Sequence, residues 1–194
     1  MKVVLISVGT RGDMEPFLAL AWLLKSKGHS VVCIFLEQFK SLVEEVEVEF
    51  LSLGSDFIDL LESREGKLVM GGRGSLLHKV QAYVALYRKS LIINRDMVDS
   101  QIQYLDQLMP DRVVYNGKST GPLVWGSVLK GKSIILSPVP YLIHAVDNHP
   151  HIGVKWSWGR VFNRWTYTLA NFAFVQNILS TTKGVRQQLD VGRK

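Results

Sequence analysis

The sequence predicts an α/β fold built on a doubly wound parallel sheet, and three observations support this. Short β-branched runs alternate with amphipathic stretches of helical spacing along most of the chain. Glycine or proline stands where several of these stretches begin or end. The chain has 194 residues, enough for one well-buried domain and too few for two ordinary ones. We therefore expect residues 1–194 to form one domain with its ligands at the carboxyl ends of the strands.

The first predicted elements are a strand, a helix and a second strand. Residues 2–8, "KVVLISV", form a β-branched run typical of a central parallel strand. Apolar residues then recur at helical spacing between Pro16, placed in the first helical turn, and Gly28, placed as the C-terminal cap. Residues 30–36, "SVVCIFL", predict the second strand.

The same alternation continues to the end of the chain. We expect two long irregular segments, a variable loop over 54–75 with at most a short helix and a histidine-rich loop over 138–153. The remaining predicted elements are a helix over 37–46, a strand over 48–53, helical residues 76–108 in two segments, a strand over 111–116, a helix over 121–131 ended by Gly131, a strand over 132–137 and an aromatic helix over 159–179.

Composition narrows the class of protein. Hydrophobic residues make up 47% and charged residues 21%, which is typical of a folded globular chain. The net charge of +6 comes without a basic block or a nucleic-acid motif, so we expect no nucleic-acid partner. A solvated basic surface is one interpretation, and attraction to a membrane or a phosphorylated ligand is the alternative.

Three further features favour a cytoplasmic location. Cys33 is the only cysteine, so we expect a buried thiol in a reducing compartment and no intrachain disulfide. The N-terminal apolar run is too short for a secretory signal. The longest uncharged stretch, residues 165–182, is interrupted by polar side chains and does not predict a membrane span.

The turn after the first strand, "SVGTRGDMEP", holds the main candidate functional residue. It lacks the Gly-x-Gly-x-x-Gly of a dinucleotide site and the Lys-Ser/Thr pair of a P-loop. Asp13 stands at the mouth of the predicted helix, where a carboxylate is stabilised electrostatically. Asp13 can therefore be a helix cap, or a general base that takes a proton from an acceptor hydroxyl.

The segment "GTRGDMEPFLALAWLLKSKGHSVV" resembles the opening of GT-B glycosyltransferases of the sterol glucosyltransferase and antibiotic glycosyltransferase type, the family 28 N-terminal domain. The resemblance continues in order through "FKSLVEEVEVEFLSLG", "DRVVYNGKSTGPLVWGSVLKGKSIILSPVP", "NRWTYTLANFAF" and "VRQQLDV". It implies a Rossmann-like domain, the N-terminal half of a GT-B fold, that binds the acceptor. A separate C-terminal domain would bind the sugar nucleotide.

The resemblance also implies an activity and its residues. A hexose would pass from a UDP- or dTDP-sugar to a hydroxyl of a lipophilic acceptor (a sterol, lipid or natural product), with no metal and no cofactor beyond the sugar-nucleotide co-substrate. Asp13 matches the family's catalytic base. Thr10, Arg11 and Gly12 would bind substrate beside it, with Thr10 and Arg11 bordering the cleft near the donor phosphates. A plain surface role is the alternative for Arg11.

In the resembled family the loop over 138–153 helps to line the acceptor pocket, which implies substrate-binding roles for Tyr141, His144 and His151. The "HPH" within it invites a metal interpretation, but the intervening proline and the lack of a nearby acid or thiol disfavour a metal site. "SPVPYLIH" stands where sterol enzymes carry Pro-Trp-Thr-Arg, so this loop argues against a sterol acceptor.

Aromatic and basic residues crowd the segment after this loop. Such a mixture suits a peripheral membrane contact or an apolar pocket. Helical spacing instead favours core or interdomain packing. The residues are Trp156, Trp158, Trp165, Tyr167, Phe172 and Phe174, with Lys155, Arg160 and Arg164 among them.

The sequence stops at "VGRK", near where a linker to a donor-binding domain is expected. We expect the chain to be an excised domain, a truncated gene product or one subunit of a split enzyme. It would be inactive alone and complemented by a donor-binding domain in cis or as a second chain. The rival hypothesis is a non-catalytic lipid-binding or partner-docking module derived from a transferase half. A dinucleotide oxidoreductase is disfavoured by the missing glycines.

Overall fold

The strands form one five-stranded parallel sheet. The computed structural model describes residues 1–69, 75–129, 132–137, 145–151 and 156–189. The strand order is β3-β2-β1-β4-β5 and every neighbouring pair is parallel, which confirms the predicted α/β fold with a doubly wound sheet. The strands are β1 (Lys2–Ile6), β2 (Ser30–Phe35), β3 (Glu49–Ser52), β4 (Arg112–Tyr115) and β5 (Ser133–Ile135).

Helices connect the strands and follow the last of them. A short 3-10 turn, Glu37–Phe39, precedes the second helix. In the described residues the helices are α1 (Arg11–Ser26), α2 (Lys40–Glu45), α3 (Asp56–Glu62), α4 (Arg64–Val69), α5 (Leu76–Leu108), α6 (Gly121–Val128), α7 (Arg160–Thr181) and α8 (Lys183–Gln188). None of these helices is long and apolar enough to cross a membrane.

The central strand β1 pairs with β2 on one side and with β4 on the other. Its residues 3–6 are buried, as expected for a parallel strand covered on both faces. Ile6 pairs with Ile34 of β2 on one side and with Tyr115 of β4 on the other. The three strands therefore end at the same level, and the loops that follow β1 and β4 lie side by side.

Helix α1 begins earlier than the sequence predicts. Its first residue is Arg11, so Pro16 is the sixth helical residue and not part of the first turn. At that position proline lacks the N–H that would donate to the Gly12 carbonyl, and its ring crowds that carbonyl. The C-terminal end is as predicted: Gly28 has φ +79°, and the amides of Gly28 and His29 donate to the carbonyls of Lys25 and Leu24.

The segment predicted as a variable loop is more regular than expected. Residues 56–69 form two helices, α3 and α4, while residues 70–74 lie outside the described structure. A Cβ on Gly66 would meet the backbone carbonyls of Leu60 and Leu61. Gly66 therefore permits close packing of α4 on α3.

Helix α5 is continuous over 33 residues, where the sequence had predicted two segments. No glycine or proline lies between Leu76 and Leu108, so nothing in the sequence breaks the helix. Its C-terminal half packs on the core through Met97, Ile102 and Leu105. The end of the predicted helix at Gly131 falls outside the described residues, and α6 is described to Val128.

Candidate functional site

A buried polar network joins the loops after β1 and β4. Asn116, 2% exposed, donates from Nδ2 to the Val8 carbonyl at 2.8 Å and to Ser7 Oγ at 2.9 Å. Ser7 Oγ in turn donates to the Asp13 carbonyl at 3.0 Å. The start of α1 is thus tied to the end of β4 by side chains that water does not reach, which fixes the position of Asp13.

Asp13 is the third residue of α1, and its carboxylate reaches back to the start of the helix. Oδ2 accepts hydrogen bonds from the Thr10 backbone amide at 2.9 Å and from Thr10 Oγ1 at 3.2 Å. An acidic residue at this position satisfies an amide that the helix itself leaves unpaired. The helix N-terminus also favours the negative charge.

The same oxygen of Asp13 is paired with a lysine from the neighbouring loop. Lys118 Nζ lies 2.8 Å from Asp13 Oδ2, and the side chains of Asp13 and Lys118 are 14% and 45% exposed. Among the described residues, all hydrogen bonds to the Asp13 carboxylate go to Oδ2. Oδ1 therefore remains able to accept a proton or a hydrogen bond from a ligand.

Gly9 is the glycine that this arrangement requires. Its φ is +141°, and a Cβ there would collide with the carboxylate of Asp13 and lie 2.9 Å from Lys118 Nζ. Gly12, by contrast, has open space where its side chain would be. A non-glycine residue at position 9 would displace the Asp13–Lys118 pair, whereas position 12 tolerates a side chain.

The other predicted residues of this turn have different surroundings. Thr10 lies against Asp13 and is its hydrogen-bond donor. Arg11 points to the surface, with its side chain 71% exposed and its Nε 2.7 Å from Glu15 Oε1. The structure brings Thr10 and Asp13 together, while the roles of Arg11 and Gly12 in substrate binding stay predictions.

A cavity of about 250 Å³ opens beside Lys118. It is somewhat smaller than a typical small-molecule site, and it is lined by both apolar and polar side chains. Because Lys118 is part of its wall and contacts Asp13, the cavity lies one side chain away from the carboxylate. Its lining residues are Val8, Phe57, Asn94, Met97, Val98, Gln101, Lys118, Thr120, Phe174 and Asn177.

The predicted acceptor loop is described only over residues 145–151. Tyr141 and His144 lie outside the described residues. His151 packs on α7: its amide donates to Thr166 Oγ1 at 2.8 Å, and its ring meets Tyr167 edge-on at 5.5 Å. Asn163, 1% exposed, anchors the same segment by donating to the Asp147 carbonyl at 2.8 Å. The role of His151 as a substrate ligand stays a prediction.

The sequence predicts core or interdomain packing for the six aromatic residues of this segment; one of them lies in the core of this domain, and interdomain packing of the other five stays a prediction. Tyr167 is buried, at 3% exposed. Along α7 and the residues before it, the other aromatic side chains are exposed, and Phe174 among them also borders the cavity. These exposed residues are Trp156, Trp158, Trp165, Phe172 and Phe174.

Burial raises the pKa values of two groups outside the Asp13–Lys118 pair. Desolvation raises the pKa of the Cys33 thiol to about 12, as expected for a thiol inside the sheet. Burial also raises the pKa of Tyr115 at the end of β4. Within the described ranges, no cluster of three histidine, cysteine or acidic side chains could hold a metal ion.

The sequence pattern predicts Asp13 but does not indicate Lys118, Asn116, Ser7 or Gln101. Lys118 follows the predicted strand over 111–116, but a single lysine in a loop has no recognisable pattern. These residues could have been found from the order of the strands. Because β4 pairs with β1, the residues just after β4 lie next to the residues just after β1.

Comparisons with known proteins agree with the fold. A family model, the glycosyltransferase family 28 N-terminal domain, matches residues 3–104, just over half of the chain. A sterol 3-beta-glucosyltransferase of Arabidopsis thaliana is 45% identical over 56 residues, which are 29% of this chain and 9% of the relative. The O-mycaminosyltylonolide 6-deoxyallosyltransferase of Streptomyces fradiae is 38% identical over 56 residues, 29% of this chain and 13% of that protein.

Among solved structures, the calicheamicin glycosyltransferase CalG4 superimposes with a TM-score of 0.60 at 16% identity. The match covers 99% of this chain and 43% of CalG4. The chain thus spans less than half of that solved structure, and its alignments cover small parts of the curated relatives. At this identity the likeness concerns the fold alone.

Proposed function

Since the chain belongs to the glycosyltransferase family 28 N-terminal domain family, we propose that it is the acceptor-binding half of a glycosyltransferase. The complete enzyme would transfer a hexose from a UDP- or dTDP-sugar to a hydroxyl of a lipophilic acceptor. The donor-binding domain would be supplied in cis or by a second chain. The observation that carries the proposal is a partly accessible carboxylate, Asp13, held beside a cavity at the carboxyl edge of the sheet.

In the proposed reaction Asp13 is the general base. The acceptor hydroxyl oxygen attacks the anomeric carbon of the sugar, the bond from that carbon to the nucleoside diphosphate breaks, and Asp13 Oδ1 takes the hydroxyl proton. Thr10 and Lys118 hold Oδ2, so the carboxylate presents a fixed oxygen to the acceptor. Positioning of this kind lowers the barrier because the reacting groups need no further ordering.

The names of the relatives support the substrate class. One is a sterol 3-beta-glucosyltransferase and the other transfers a 6-deoxyallosyl group to O-mycaminosyltylonolide. Five apolar side chains in the cavity wall are consistent with an acceptor that has a large apolar surface: Val8, Phe57, Met97, Val98 and Phe174. A sterol, another lipid or a natural product all fit this description.

One observation favours a second candidate, a non-catalytic module that binds a lipid or a partner. Thr10 and Lys118 give the Asp13 carboxylate a structural explanation as a helix-capping residue in an ion pair. This explanation requires no substrate. A module of this kind would keep the cavity and the fold and would need no donor-binding domain.

A transfer assay separates the two candidates. The purified chain is assayed alone and together with the donor-binding domain, using UDP- and dTDP-hexoses and a panel of hydroxylated apolar acceptors. We expect no transfer by the chain alone and measurable transfer once the donor-binding domain is present. Transfer by the chain alone, or micromolar binding of a sugar nucleotide to it, contradicts the assignment. No transfer with the donor-binding domain present favours the non-catalytic module.

A further inference from the structure

The cavity beside Lys118 contains a polar side chain with no function in the reaction proposed above. Gln101, on α5, is 1% exposed and belongs to the cavity wall. Its Oε1 accepts a hydrogen bond from the Gly121 backbone amide at 3.0 Å, at the first residue of α6. A fully buried glutamine among apolar residues is unusual unless its polar atoms are satisfied.

The contact with Gly121 determines which way the amide group faces. A backbone N–H can only donate, so the atom next to it must be the oxygen, and the nitrogen must point the other way. The approach is close: a Cβ on residue 121 would lie 2.7 Å from Gln101 Oε1 and 2.8 Å from Gln101 Cβ. Gly121 therefore holds the glutamine in one orientation.

Among the residues that the structure describes, the nitrogen of this amide has no hydrogen-bond partner. No hydrogen bond from Gln101 Nε2 is formed within the part of the chain that the structure describes. In that same part, Arg186 Nε is the single side-chain nitrogen or oxygen that is both sealed from solvent and unpaired. Nε2 of Gln101 must therefore border open space, and the open space that Gln101 adjoins is the cavity.

We infer that Gln101 determines acceptor specificity by donating a hydrogen bond from Nε2 to an oxygen of the bound acceptor. This inference rests on the proposed function and narrows its substrate class. The acceptor is a largely apolar compound that carries a hydrogen-bond-accepting oxygen besides the hydroxyl that is glycosylated. An acceptor without that oxygen leaves the two N–H groups of the amide unpaired in an apolar cavity, which weakens binding.

The rest of the wall supports this assignment of Gln101. Thr120, at 8% exposed, is the other buried polar residue, while Asn94, Lys118 and Asn177 are more accessible to water. Water can satisfy the accessible groups in the empty cavity and after a ligand enters. The amide of Gln101 is much less accessible to water, so its hydrogen bonding depends most on the ligand.

The test uses the 194-residue chain and two probes of nearly the same shape, 1-tetralone and tetralin. The ketone oxygen of 1-tetralone accepts hydrogen bonds and cannot donate them, and tetralin has no polar atom. Affinities are measured by ¹H–¹⁵N NMR titration, following the side-chain amide of Gln101 directly. We expect 1-tetralone to shift that resonance in a saturable way and to bind about 2- to 10-fold more tightly than tetralin, the range for one net hydrogen bond.

Two variants complete the experiment. Gln101→Glu keeps an oxygen for the Gly121 amide and, at a pH high enough to ionise the carboxyl, removes the NH₂ donor, so the preference for 1-tetralone should vanish there. Gln103→Glu places the same charge change on an exposed residue of the same helix and should leave the preference intact. If Gln101→Glu is poorly folded, the wild-type side-chain resonance still decides the question.

The opposing outcomes distinguish this inference from the proposed function. Equal affinity for the two probes, or an unmoved Gln101 resonance, overturns the role of Gln101 and leaves the cavity as an apolar site. If neither probe binds in the cavity, both the role of Gln101 and the use of the cavity as a binding site are overturned. The proposed transfer reaction is decided separately, by the transfer assay and by the turnover of an Asp13 variant.

Discussion

Lys118 Nζ lies 2.8 Å from Asp13 Oδ2, although the two residues are 105 positions apart in the sequence. The contact exists because β1 and β4 are neighbours in the sheet and their following loops meet at its carboxyl edge. It leaves one carboxylate oxygen committed to protein partners and the other available to a ligand. This division of the two oxygens distinguishes Asp13 from a freely rotating surface carboxylate.

Replacing Lys118 tests whether the pair serves the reaction. Lys118→Gln removes the charge that holds Asp13 Oδ2, so we expect turnover of the complete enzyme to fall about tenfold, the equivalent of one hydrogen bond to a charged group. The free energy of unfolding should change by less than about 1 kcal/mol, because the lysine is nearly half exposed.

Lys25→Gln is the matched control for this variant. Lys25 Nζ forms an ion pair of the same length, 2.8 Å, with Glu47, which lies on the surface away from the site. Turnover should be normal in that variant. Equal turnover in the two variants would show that Lys118 is an ordinary surface lysine.

Gly9 and Gly12 provide a second matched pair. Gly9→Ala forces a Cβ into the Asp13 carboxylate at φ +141°, so we expect a loss of about 1–3 kcal/mol in unfolding free energy and displacement of the Asp13–Lys118 pair. Gly12→Ala enters open space in the first turn of α1 and should be neutral or slightly stabilising. Urea denaturation of both variants measures the difference, and a Gly9→Ala variant as stable as the wild type contradicts the geometry.

The sheet could be predicted from the sequence because buried parallel strands read as continuous β-branched runs, as in residues 2–8. Asp13 could be predicted because a strand, a turn and a helix in succession mark a binding edge. The start of α1 was misplaced because Pro16 suggested a first turn, while the reach of Asp13 back to Thr10 begins the helix at Arg11.

The rest of the site depends on contacts between distant segments. Asn116 and Ser7 become a network only after β4 pairs with β1, and neither has a pattern that distinguishes it from a surface polar residue. Gln101 lies within a regular helical stretch, where its burial depends on the approach of Gly121. Such residues are found from strand order and packing, not from local periodicity.

Cys33 should be unreactive in the folded chain. Burial raises the pKa of its thiol from 9.0 to about 12, so at pH 8 the reactive thiolate is scarce and shielded. We expect a thiol reagent to modify Cys33 only as fast as the chain unfolds, with rapid reaction in denaturing urea. Modification of the native chain at the rate of a free cysteine would contradict the burial.

The same shift predicts how stability changes at high pH. The pKa of the Cys33 thiol is higher in the folded chain than in the unfolded chain. The protonated thiol therefore makes its full contribution to stability below pH 9, and this contribution is lost as the pH rises toward 12. The free energy of unfolding should fall by up to about 1.4 kcal/mol per pH unit from this group. Cys33→Ala should remove that part of the slope, which urea titrations at several pH values would measure.

Asp13→Asn tests the catalytic assignment against the capping one. The amide oxygen of asparagine can still accept the hydrogen bond from the Thr10 amide, so the free energy of unfolding should change by less than roughly 1 kcal/mol. Asparagine cannot take a proton, and loss of a general base typically lowers turnover on the order of 10²–10⁴-fold. Acceptor affinity should be mostly kept, because the side chains of the cavity wall are unchanged.

Asp111→Asn is the control for this change. Asp111 Oδ2 accepts a hydrogen bond from the Lys2 amide at 2.7 Å, at the opposite end of β1 from the site. The Asp111→Asn variant has the same chemical change at a position remote from the acceptor, so its turnover should match that of the wild type. If Asp13→Asn also retains more than about a tenth of wild-type turnover, the loss is smaller than removal of a general base produces. Asp13 would then be a helix-capping residue paired with Lys118, and the non-catalytic module would be the better account of the chain.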